Sequence, residues 1–527
     1  MSRRVLPSGF DRYATIGDLA LRTRRVLARW LGWLTVLLTV ETSYLLFTGK
    51  PGAGCFGLIA AGAVIILATW QVNGRGLPVA PMMAIQTLVA YGLPIAVGHP
   101  VVKAYPADLV LKAGGEVLVF SAVMTALWWA VLHVLTPRRA VSHAFESYQR
   151  TSASKISRLA FCLVVGATAY QVLDSIGALG LLMALLPSGA NSIFVALVSA
   201  VSTCGFFLLA MLAGGGDLRP AGRAILWCAL AINGFIAASS FLLSSVMITV
   251  IAVAIGLFWG NGRIPWRYLA VVLSILAFLN VGKYSMRIRY WDPEEQANAI
   301  PSFSLAAMPG IYSEWVQASL DDIATSSKAK SPAAGFDRAE GTEPDEHSLL
   351  DRINNLQNLL YVMQAEGSGH IAPLGGATYS IIPSLLVPRI LWPDKPRTHE
   401  GQVLLNVHFG RQDLHATFET YIAWGLLPEA YGNFGPFWGA AVLGAVLGAL
   451  FAWIENFTAR KLVISMEGFV SFAFFLGVAN SFEMVASVAV TSIFQAMIPI
   501  IIAAAPFVHR LSPREPSAGE PPSSPPP

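Results

Sequence analysis

The chain has 527 residues, of which 55% are hydrophobic and only 13% are charged, and its formal net charge is +4. Soluble domains carry roughly 25% charged residues, so this composition excludes an ordinary soluble protein and indicates an all-α integral membrane protein. The four cysteines all lie within or beside apolar runs, which is typical of small core residues and not of a disulfide framework or a metal site.

The chain starts with an arginine-rich segment, residues 1–29, followed by an apolar run from Trp30 to Phe47. That run is too long for the apolar part of a signal peptide, and it lacks a small-residue cleavage site. We therefore expect a cytoplasmic basic arm followed by a retained first membrane helix.

Apolar runs close to the length that crosses a bilayer recur along the chain. We predict nine spans within 30–283 and three within 436–508, about twelve in all. They are placed near 30–48, 52–72, 81–98, 113–135, 158–186, 190–213, 222–243, 245–260, 266–283, 436–455, 467–484 and 487–508. The Pro/Ser-rich tail, 509–527, is expected to be a disordered cytoplasmic end.

Basic residues divide unevenly between the two sets of loops. If the arginine-rich N-terminus is inside, every inside loop carries arginine or lysine, whereas the short outside loops carry only Lys50, Lys103 and Lys112. Positive charge is favoured in cytoplasmic loops. Both termini are therefore predicted to be cytoplasmic, and the large segment 284–435 is predicted to be external.

The external segment contains three recognisable parts. Residues 326–347 have almost nothing to bury and are expected to be disordered or a mobile flap. Apolar residues recur at helical spacing over 348–366, which predicts an amphipathic helix. Residues 377–392 are apolar but interrupted by Pro383 and Pro388, so we expect a re-entrant or interfacial element and not a full crossing.

The same segment concentrates cations, carboxylates and histidines. Cations suit a pyrophosphate leaving group, arginine especially through its planar, bidentate guanidinium, and a carboxylate or histidine suits the removal of a proton from an attacking hydroxyl. The candidate pyrophosphate-binding residues are Arg352, Arg389, Lys395 and Arg397. The candidate general bases are Glu429, Glu419 and His415.

Each of these residues also has an ordinary structural explanation. The cations could anchor at lipid headgroups, Glu429 could cap the helix that starts at Pro436, and each histidine could be a satisfied structural residue. No compact ligand spacing supports a metal site, and no nucleotide-binding loop or nucleic-acid-binding pattern is present. Glu41, Asp174 and Glu483 lie in predicted spans, where charge is costly, so each is a functional-site hypothesis.

Two motifs in the external segment carry a resemblance to a known family. Residues 388–396 read PRILWPDKP, and residues 429–435 read EAYGNFG. Together they resemble the signature region of bacterial Wzy-type O-antigen and exopolysaccharide repeat-unit polymerases. The resemblance covers about 350–450 and is only topological elsewhere.

The resemblance implies a GT-C-like glycosyltransferase of the bacterial inner membrane that needs no cofactor. Its substrate would be an undecaprenyl-pyrophosphate-linked oligosaccharide, and a chain-length regulator and a flippase would be candidate partners besides the lipid bilayer. By position, Arg352 matches the arginine of the family's loop helix, Arg389 and Lys395 match the Pro-Arg…Lys-Pro motif, and Glu429 matches the acidic residue before Asn-Phe-Gly. Aromatic residues that could stack on sugar rings are Tyr379, Trp392, Tyr421, Trp424 and Tyr431.

Other functions remain open at this point. An O-antigen ligase-type enzyme shares a large outer loop with arginines. A polysaccharide flippase or exporter should show repeated halves and charges along a pathway inside the spans, whereas this chain has one large loop and few such charges. A purely structural scaffold would have no reason to concentrate arginines beside aromatics.

Overall fold

The chain is helical throughout the part whose structure is described. A computed structural model describes residues 15–134, 153–179, 188–290, 303–328, 353–367, 369, 371–387, 392, 394–419, 422–461, 463, 465–479, 481 and 483–511. Within these ranges the chain forms helices joined by turns, and no β-strand is present. The predicted all-α fold class is therefore confirmed.

The helices vary widely in length. The first half of the chain contains α1 (Ile16–Phe47), α2 (Ala53–Asn73), α3 (Val79–Thr87), a π-helical turn (Leu88–Gly92), α4 (Leu93–Ala96), α5 (Pro100–Ala104), α6 (Ala107–Val134), α7 (Ala153–Ser175), α8 (Ser188–Gly215), α9 (Pro220–Ala238) and α10 (Leu243–Asn261). The second half contains α11 (Trp266–Val281), α12 (Lys283–Tyr290), α13 (Met308–Lys328), α14 (Asn355–Gly367), α15 (Ala377–Ser380), α16 (Ile382–Leu386), α17 (Glu400–His408), α18 (Ala416–Glu419), α19 (Leu426–Phe434), α20 (Trp438–Thr458), α21 (Met466–Ala479) and α22 (Ala486–Leu511).

The long apolar helices define a multi-pass membrane protein. Among the described residues, seven helices are long and apolar enough to cross a bilayer, or eight if α11 and α12, which are bent by 51°, form one span. Each of the twelve predicted spans overlaps a described helix. However, α7 is not among the described helices apolar enough to cross, and α10, α21 and α22 contain only shorter apolar segments. On α1, exposed side chains such as Trp33 and Phe47 (71% and 93% exposed) form the kind of apolar surface that lipid covers.

The first helix begins earlier than its apolar run. Thr15 and Asp18 form a capping box, in which the Asp18 N–H donates to Thr15 Oγ1 (3.2 Å) and the Thr15 N–H donates to Asp18 Oδ2 (3.1 Å), so α1 starts at Ile16. Arg24 Nε then donates to the carbonyl of Gln71 (2.6 Å) near the end of α2. The part of the predicted basic arm that follows Thr15 is therefore helical and packed.

Glycine pairs let the long helices approach backbone to backbone. A Cβ at Gly448 of α20 would lie 2.3 Å from the carbonyl oxygen of Met124 on α6, and Gly444 stands one turn earlier on the same face. Gly256 and Gly260 repeat this four-residue spacing on α10, where that helix meets α8. These small residues create the close van der Waals packing that holds helices together in a bilayer.

The segment predicted to be external contains more helix than its sequence predicts. Besides α14, which occupies much of the predicted amphipathic stretch and ends at Gly367, the chain forms α12 and α13. Trp315 of α13 is fully buried, and its Nε1 donates to the carbonyl of Leu279 on α11 (2.8 Å). The predicted flap, 326–347, lies almost wholly outside the described residues.

The proline-interrupted element is short. α15 and α16 together cover 377–386, and ten helical residues extend roughly 15 Å, about half of a 30 Å hydrocarbon core. Both helices pack against α22. The element is therefore too short to cross a bilayer as a helix, and the remainder of the predicted stretch lies largely outside the described residues.

Candidate functional site

Helix α19 positions Glu429, and glycines mark both of its ends. Gly425 precedes it with φ +87°, and a Cβ there would lie 2.8 Å from Nδ2 of Asn355 on α14. Gly435 follows it with φ +76°. Residues with a side chain rarely adopt a positive φ, so the two glycines set where α19 starts and where it ends. The Glu429 side chain is buried within this helix.

The Glu429 carboxyl is fully buried, and both of its oxygens accept hydrogen bonds. Thr378 Oγ1 of α15 donates to Oε1 (2.7 Å), and the backbone N–H of Ala486, the first residue of α22, donates to Oε2 (2.5 Å). Asn433 Nδ2 in turn donates to Thr378 Oγ1 (2.9 Å) and to the Glu429 carbonyl (2.8 Å). The carboxyl therefore caps the N-terminus of α22, where the helix dipole favours negative charge. The structural role that the sequence predicts for Glu429 is a cap on the helix after Pro436, whereas the structure places the cap on α22.

Burial has a clear effect on how Glu429 titrates. It raises the pKa of the Glu429 carboxyl to about 7, while the hydrogen bonds from Ala486 and Thr378 act to lower it. Near neutral pH the group exists in both protonated and ionised forms, the range that suits a general acid or base. Because the carboxyl is enclosed, a substrate reaches it only if Thr378 or the start of α22 moves.

Two predicted pyrophosphate-binding cations already have partners within the chain. Lys395 Nζ donates to the carbonyl oxygens of Leu385 (2.7 Å) and Val387 (2.6 Å), where α16 ends. Arg397 Nε forms an ion pair with Glu400 Oε2 (3.2 Å), and both side chains are about one-third exposed. Binding of a phosphate at either cation would therefore compete with these contacts.

The structure places the other predicted site residues as follows. His415 is exposed on the turn before α18. Glu419 is the last residue of α18, and its side chain lies outside the described part of the structure. Arg352 and Arg389 also lie outside it.

Three short helices that contain or contact the described site residues pack against the same long helix. α15, α16 and α17 all pack against α22. Thr378 belongs to α15, the carbonyls that hold Lys395 end α16, and Glu400 begins α17. On α17, a Cβ at Gly401 would lie 2.7 Å from the Oγ of Ser487, so α17 lies close against the first turn of α22. Glu429, Lys395 and Arg397 are thus each bonded to or next to a helix that packs against α22, and Glu429 and Gly401 lie at its N-terminus.

A second group of acidic residues lies beside the Asn-Phe-Gly turn, and sequence reasoning missed it. Tyr431 hydrogen-bonds to Glu366 of α14, and the backbone N–H of Phe437 donates to Glu116 Oε1 of α6 (2.8 Å). Burial raises the pKa of the Glu366 carboxyl, and the nearby Glu116 raises it further. Phe437 has φ +62°, a strained value for a residue other than glycine. Unlike Glu429, Glu366 is only partly buried.

Arg411 lies between aromatic side chains, an arrangement that the sequence does not predict. Its guanidinium lies over the rings of Tyr361 (5.4 Å to the centroid) and Trp424 (5.7 Å), and Nη1 donates to Asn358 Oδ1 (2.8 Å). Trp424 is fully buried, and its Nε1 donates to Asn406 Oδ1 (2.6 Å). Cation–π contact and hydrogen bonding together connect α14, α17 and the segment before α19. Trp424 and Tyr431, predicted to stack on sugars, are instead buried packing residues.

The sequence predicts only some of the carboxylates in the apolar helices. Of the predicted ones, Glu41 and Glu483 are partly buried and Asp174 is exposed. Glu455, near the end of α20, was missed although it is 1% exposed. Its carboxylate accepts hydrogen bonds from the indole N–H groups of Trp70 (3.0 Å) and Trp128 (2.9 Å) and from the backbone N–H groups that open the turn after α2.

The fold thus defines the class of protein as an all-α, multi-pass membrane protein. Comparison with protein-family models, with curated proteins and with solved structures finds no match to this chain. What the site does must therefore be argued from its residues.

Proposed function

We propose that this protein is a membrane glycosyltransferase that polymerises undecaprenyl-pyrophosphate-linked oligosaccharide repeat units into O-antigen or exopolysaccharide. In this proposal the fold is GT-C-like, about twelve helices cross the bacterial inner membrane, both termini are cytoplasmic, and α14–α19 face the periplasm. The observation that carries the proposal is the shared location of the two motifs. Lys395 of the first motif holds the end of α16, a helix that packs against α22, and Glu429 of the second caps the N-terminus of α22 with a pKa of about 7.

The proposed reaction is a glycosyl transfer with a lipid-pyrophosphate leaving group. A hydroxyl oxygen of the acceptor repeat unit attacks the anomeric carbon of the donor chain and forms the new glycosidic bond. The bond between that carbon and the pyrophosphate oxygen breaks, and the lipid pyrophosphate leaves with the bonding electrons. The hydroxyl proton passes to a carboxylate, for which ionised Glu429 is the first candidate.

Cations near the leaving group stabilise the charge that develops on it. Lys395 and Arg397 are the described candidates, and Arg352 and Arg389 are the others predicted from the sequence. Pyrophosphate would take Lys395 from its two carbonyl partners and Arg397 from Glu400. The proposal therefore includes a local rearrangement of α15–α17 on substrate binding, which would also open the way to Glu429.

Deletion of the gene in the native host, followed by analysis of lipid-linked glycans, tests this function. A polymerase predicts that single repeat units accumulate on the lipid carrier. Full-length polymer on the carrier would instead indicate a ligase, and repeat units confined to the cytoplasmic face would indicate a flippase.

Complementation of the deletion strain tests the site separately. We expect Glu429→Gln to restore less than a hundredth of the polymer, since loss of a general base typically costs about 10²–10⁴-fold. Glu314→Gln, at an exposed carboxylate of α13 outside the proposed site, serves as the control and should restore most of it. Wild-type polymer from Glu429→Gln would remove Glu429 from the mechanism while leaving the polymerase function open.

Transport is a second candidate function, favoured by one observation. A cavity of about 1420 Å³ lies among α7–α11. Its lining includes Asp174 and two arginines near opposite helix ends, as a translocation path could. The glycan analysis above distinguishes this function from polymerisation.

A further inference from the structure

A large cavity lies away from the site around Glu429. Its volume is about 1420 Å³, and its walls come from α7, α8, α9, α10 and α11. Ligand pockets usually measure about 300–1,000 Å³, so this one suits a larger occupant. Several wall residues, among them Val271 and Ile275 (61% and 54% exposed), also form the outer surface, so the cavity opens sideways to the bilayer.

The cavity is long enough for lipid chains. α10 contributes to its wall from Ser245 to Asn261, and this stretch of helix extends roughly 24 Å, most of the thickness of the hydrocarbon core. Apolar side chains such as Leu230, Val272 and Leu276 line its middle. An elongated apolar occupant therefore fits this space.

One end of the cavity is basic. Arg263, Trp266 and Arg267 line it where the turn after α10 leads into α11. Neither Arg263 nor Arg267 forms a hydrogen bond or an ion pair within the described part of the chain. Arg22 of α1 lies against the same turn, with Nη1 3.6 Å from the position of a Cβ at Gly262. Arginine readily binds phosphate, and tryptophan favours the headgroup level of a membrane.

The opposite end of the cavity is lined by hydrogen-bond acceptors. Asp174 lines the cavity there, and the side-chain amide oxygens of Gln171 and Asn233 are buried without a hydrogen-bond partner among the described residues. Tyr312 Oη donates to the carbonyl of Phe235 (2.5 Å), which places this end beside α13 and away from the arginines. The carboxylate of Asp174 would repel an anionic group at this end, so the charges favour one direction of binding for an anionic lipid.

We propose that the cavity is a binding site for an anionic phospholipid, with the phosphate on Arg263 and Arg267 and the acyl chains between α9, α10 and α11. The positive-inside rule places those arginines on the cytoplasmic side, so the lipid comes from the inner leaflet. The inference does not rest on the proposed glycosyltransferase function, because the cavity and the Glu429 site share no residues.

Native mass spectrometry of the full-length protein tests the site. The protein is released from nanodiscs that contain equal amounts of phosphatidylglycerol and phosphatidylcholine, and the retained lipid is identified. Wild type should retain phosphatidylglycerol preferentially. Each arginine near an anionic headgroup contributes about fivefold in affinity, so Arg263→Gln with Arg267→Gln should reduce this preference by about thirtyfold.

Two further variants make the result specific. Arg219→Gln with Arg223→Gln removes two exposed arginines that do not line the cavity, and it should retain the wild-type preference. Gly234→Leu should fill the cavity, because a Cβ there meets only Val246 Cγ1 at 3.9 Å, and it should reduce retention of both lipids. Folding of every variant is checked by its elution as a single species and its unfolding temperature.

Three outcomes would overturn the proposal. One is an unchanged phosphatidylglycerol preference in the Arg263/Arg267 variant. Another is an equal loss in the Arg219/Arg223 variant, which would indicate general surface charge. The third is displacement of phosphatidylglycerol by an equimolar polyprenyl phosphate added to the nanodiscs, which would identify a carrier-lipid site instead.

Discussion

At the scale of single residues, two buried glutamates hold the ends of helices in place. Glu429 accepts the N–H of Ala486 and so caps α22, and Glu455 accepts two backbone N–H groups after α2. Each carboxyl also accepts side-chain hydrogen bonds, from Thr378 in one case and from two tryptophans in the other. Such groups are costly to bury and costly to remove, because their donors would then lack acceptors.

Glu429 should make the protein less stable as pH rises. Its pKa is about 7 in the folded state against an ordinary value of 4.5, so the folded state binds a proton that the unfolded state has lost between these pH values. Protonation of Glu429 therefore adds about 3 kcal/mol to the free energy of unfolding below pH 4.5. This contribution falls as pH rises and is lost by about pH 7. Glu429→Gln should remove this dependence, as measured by denaturant unfolding in detergent between pH 4 and pH 8.

The matched control for that measurement is Glu400→Gln, which replaces a partly exposed carboxylate on α17. It should keep the wild-type pH dependence between pH 4.5 and pH 7. If the Glu429→Gln protein showed the same pH dependence as wild type, the burial of an ionisable carboxyl at the start of α22 would be contradicted.

Replacement of Glu455 by alanine should destabilise the protein strongly. It leaves two indole N–H groups and two backbone N–H groups without their acceptor, and each unsatisfied buried group costs about 1–3 kcal/mol. We expect a total loss of about 4 kcal/mol or more, measured by thermal unfolding followed through tryptophan fluorescence. Glu467→Ala, which removes a partly exposed ion pair with Lys461 and hydrogen bonds with Ser465 and with its own backbone N–H, should cost less, about 1–2 kcal/mol. Equal losses in the two variants would contradict this account.

The sequence identified Glu429 as a site residue but gave no sign of its partners. Thr378 and Ala486 are 51 and 57 residues away in the chain, so no local pattern links them to Glu429. The partners of Glu455 are still more distant, with Trp70 separated from it by 385 residues. The only available signal for Glu455 was a carboxylate at the edge of an apolar run, a feature that also fits a solvated helix end.

At the scale of helices, close packing depends on glycine. α6 and α20 approach each other at Gly444 and Gly448, and α8 and α10 approach at Gly256 and Gly260. The four-residue spacing places both glycines of a pair on one helix face. Hydropathy located these helices well, because length and apolar character suffice for that purpose, but it carried no information on which helices pair.

Substitution of Gly448 by valine should separate α6 from α20. Its Cβ would lie 2.3 Å from the Met124 carbonyl, a backbone atom that cannot move without the helix. Overpacking costs about 1–3 kcal/mol, and more where backbone is displaced. Gly115→Val on α6 is the matched control, since no atom lies within 4 Å of its Cβ position. Thermal unfolding should show a large loss only for Gly448→Val, and equal effects would contradict the close approach.

Local signals explain where the predicted elements and the structure differ. The capping box at Thr15 starts α1 before its apolar run, and Pro383 interrupts an apolar stretch that the structure divides into α15 and α16. α13 was not predicted because its stabilising contact, Trp315 against Leu279, lies in another part of the chain. The pattern of apolar residues thus predicts the long apolar helices, but it does not predict short helices that are stabilised by tertiary contacts.

At the scale of the whole molecule, the distribution of charge predicts the orientation in the membrane. By the positive-inside rule, we expect the segment between α12 and α19 to lie outside the cytoplasm. Alkaline phosphatase fused after Gly335 should therefore be active, and green fluorescent protein fused at the same position should not be fluorescent. A fusion after Arg514 should give the reverse pattern. A fluorescent fusion after Gly335 would contradict the orientation and the external site with it.

Reconstitution with purified components tests directly whether this protein joins lipid-linked oligosaccharides, as proposed. Purified full-length protein in proteoliposomes is incubated with undecaprenyl-pyrophosphate-linked repeat units from the deletion strain, and the products are separated by size. We predict a ladder of polymers with release of undecaprenyl pyrophosphate, and loss of that ladder with Glu429→Gln. Substrate that remains as single repeat units with wild-type protein, while a polymerase of known activity extends it in the same liposomes, would contradict the account.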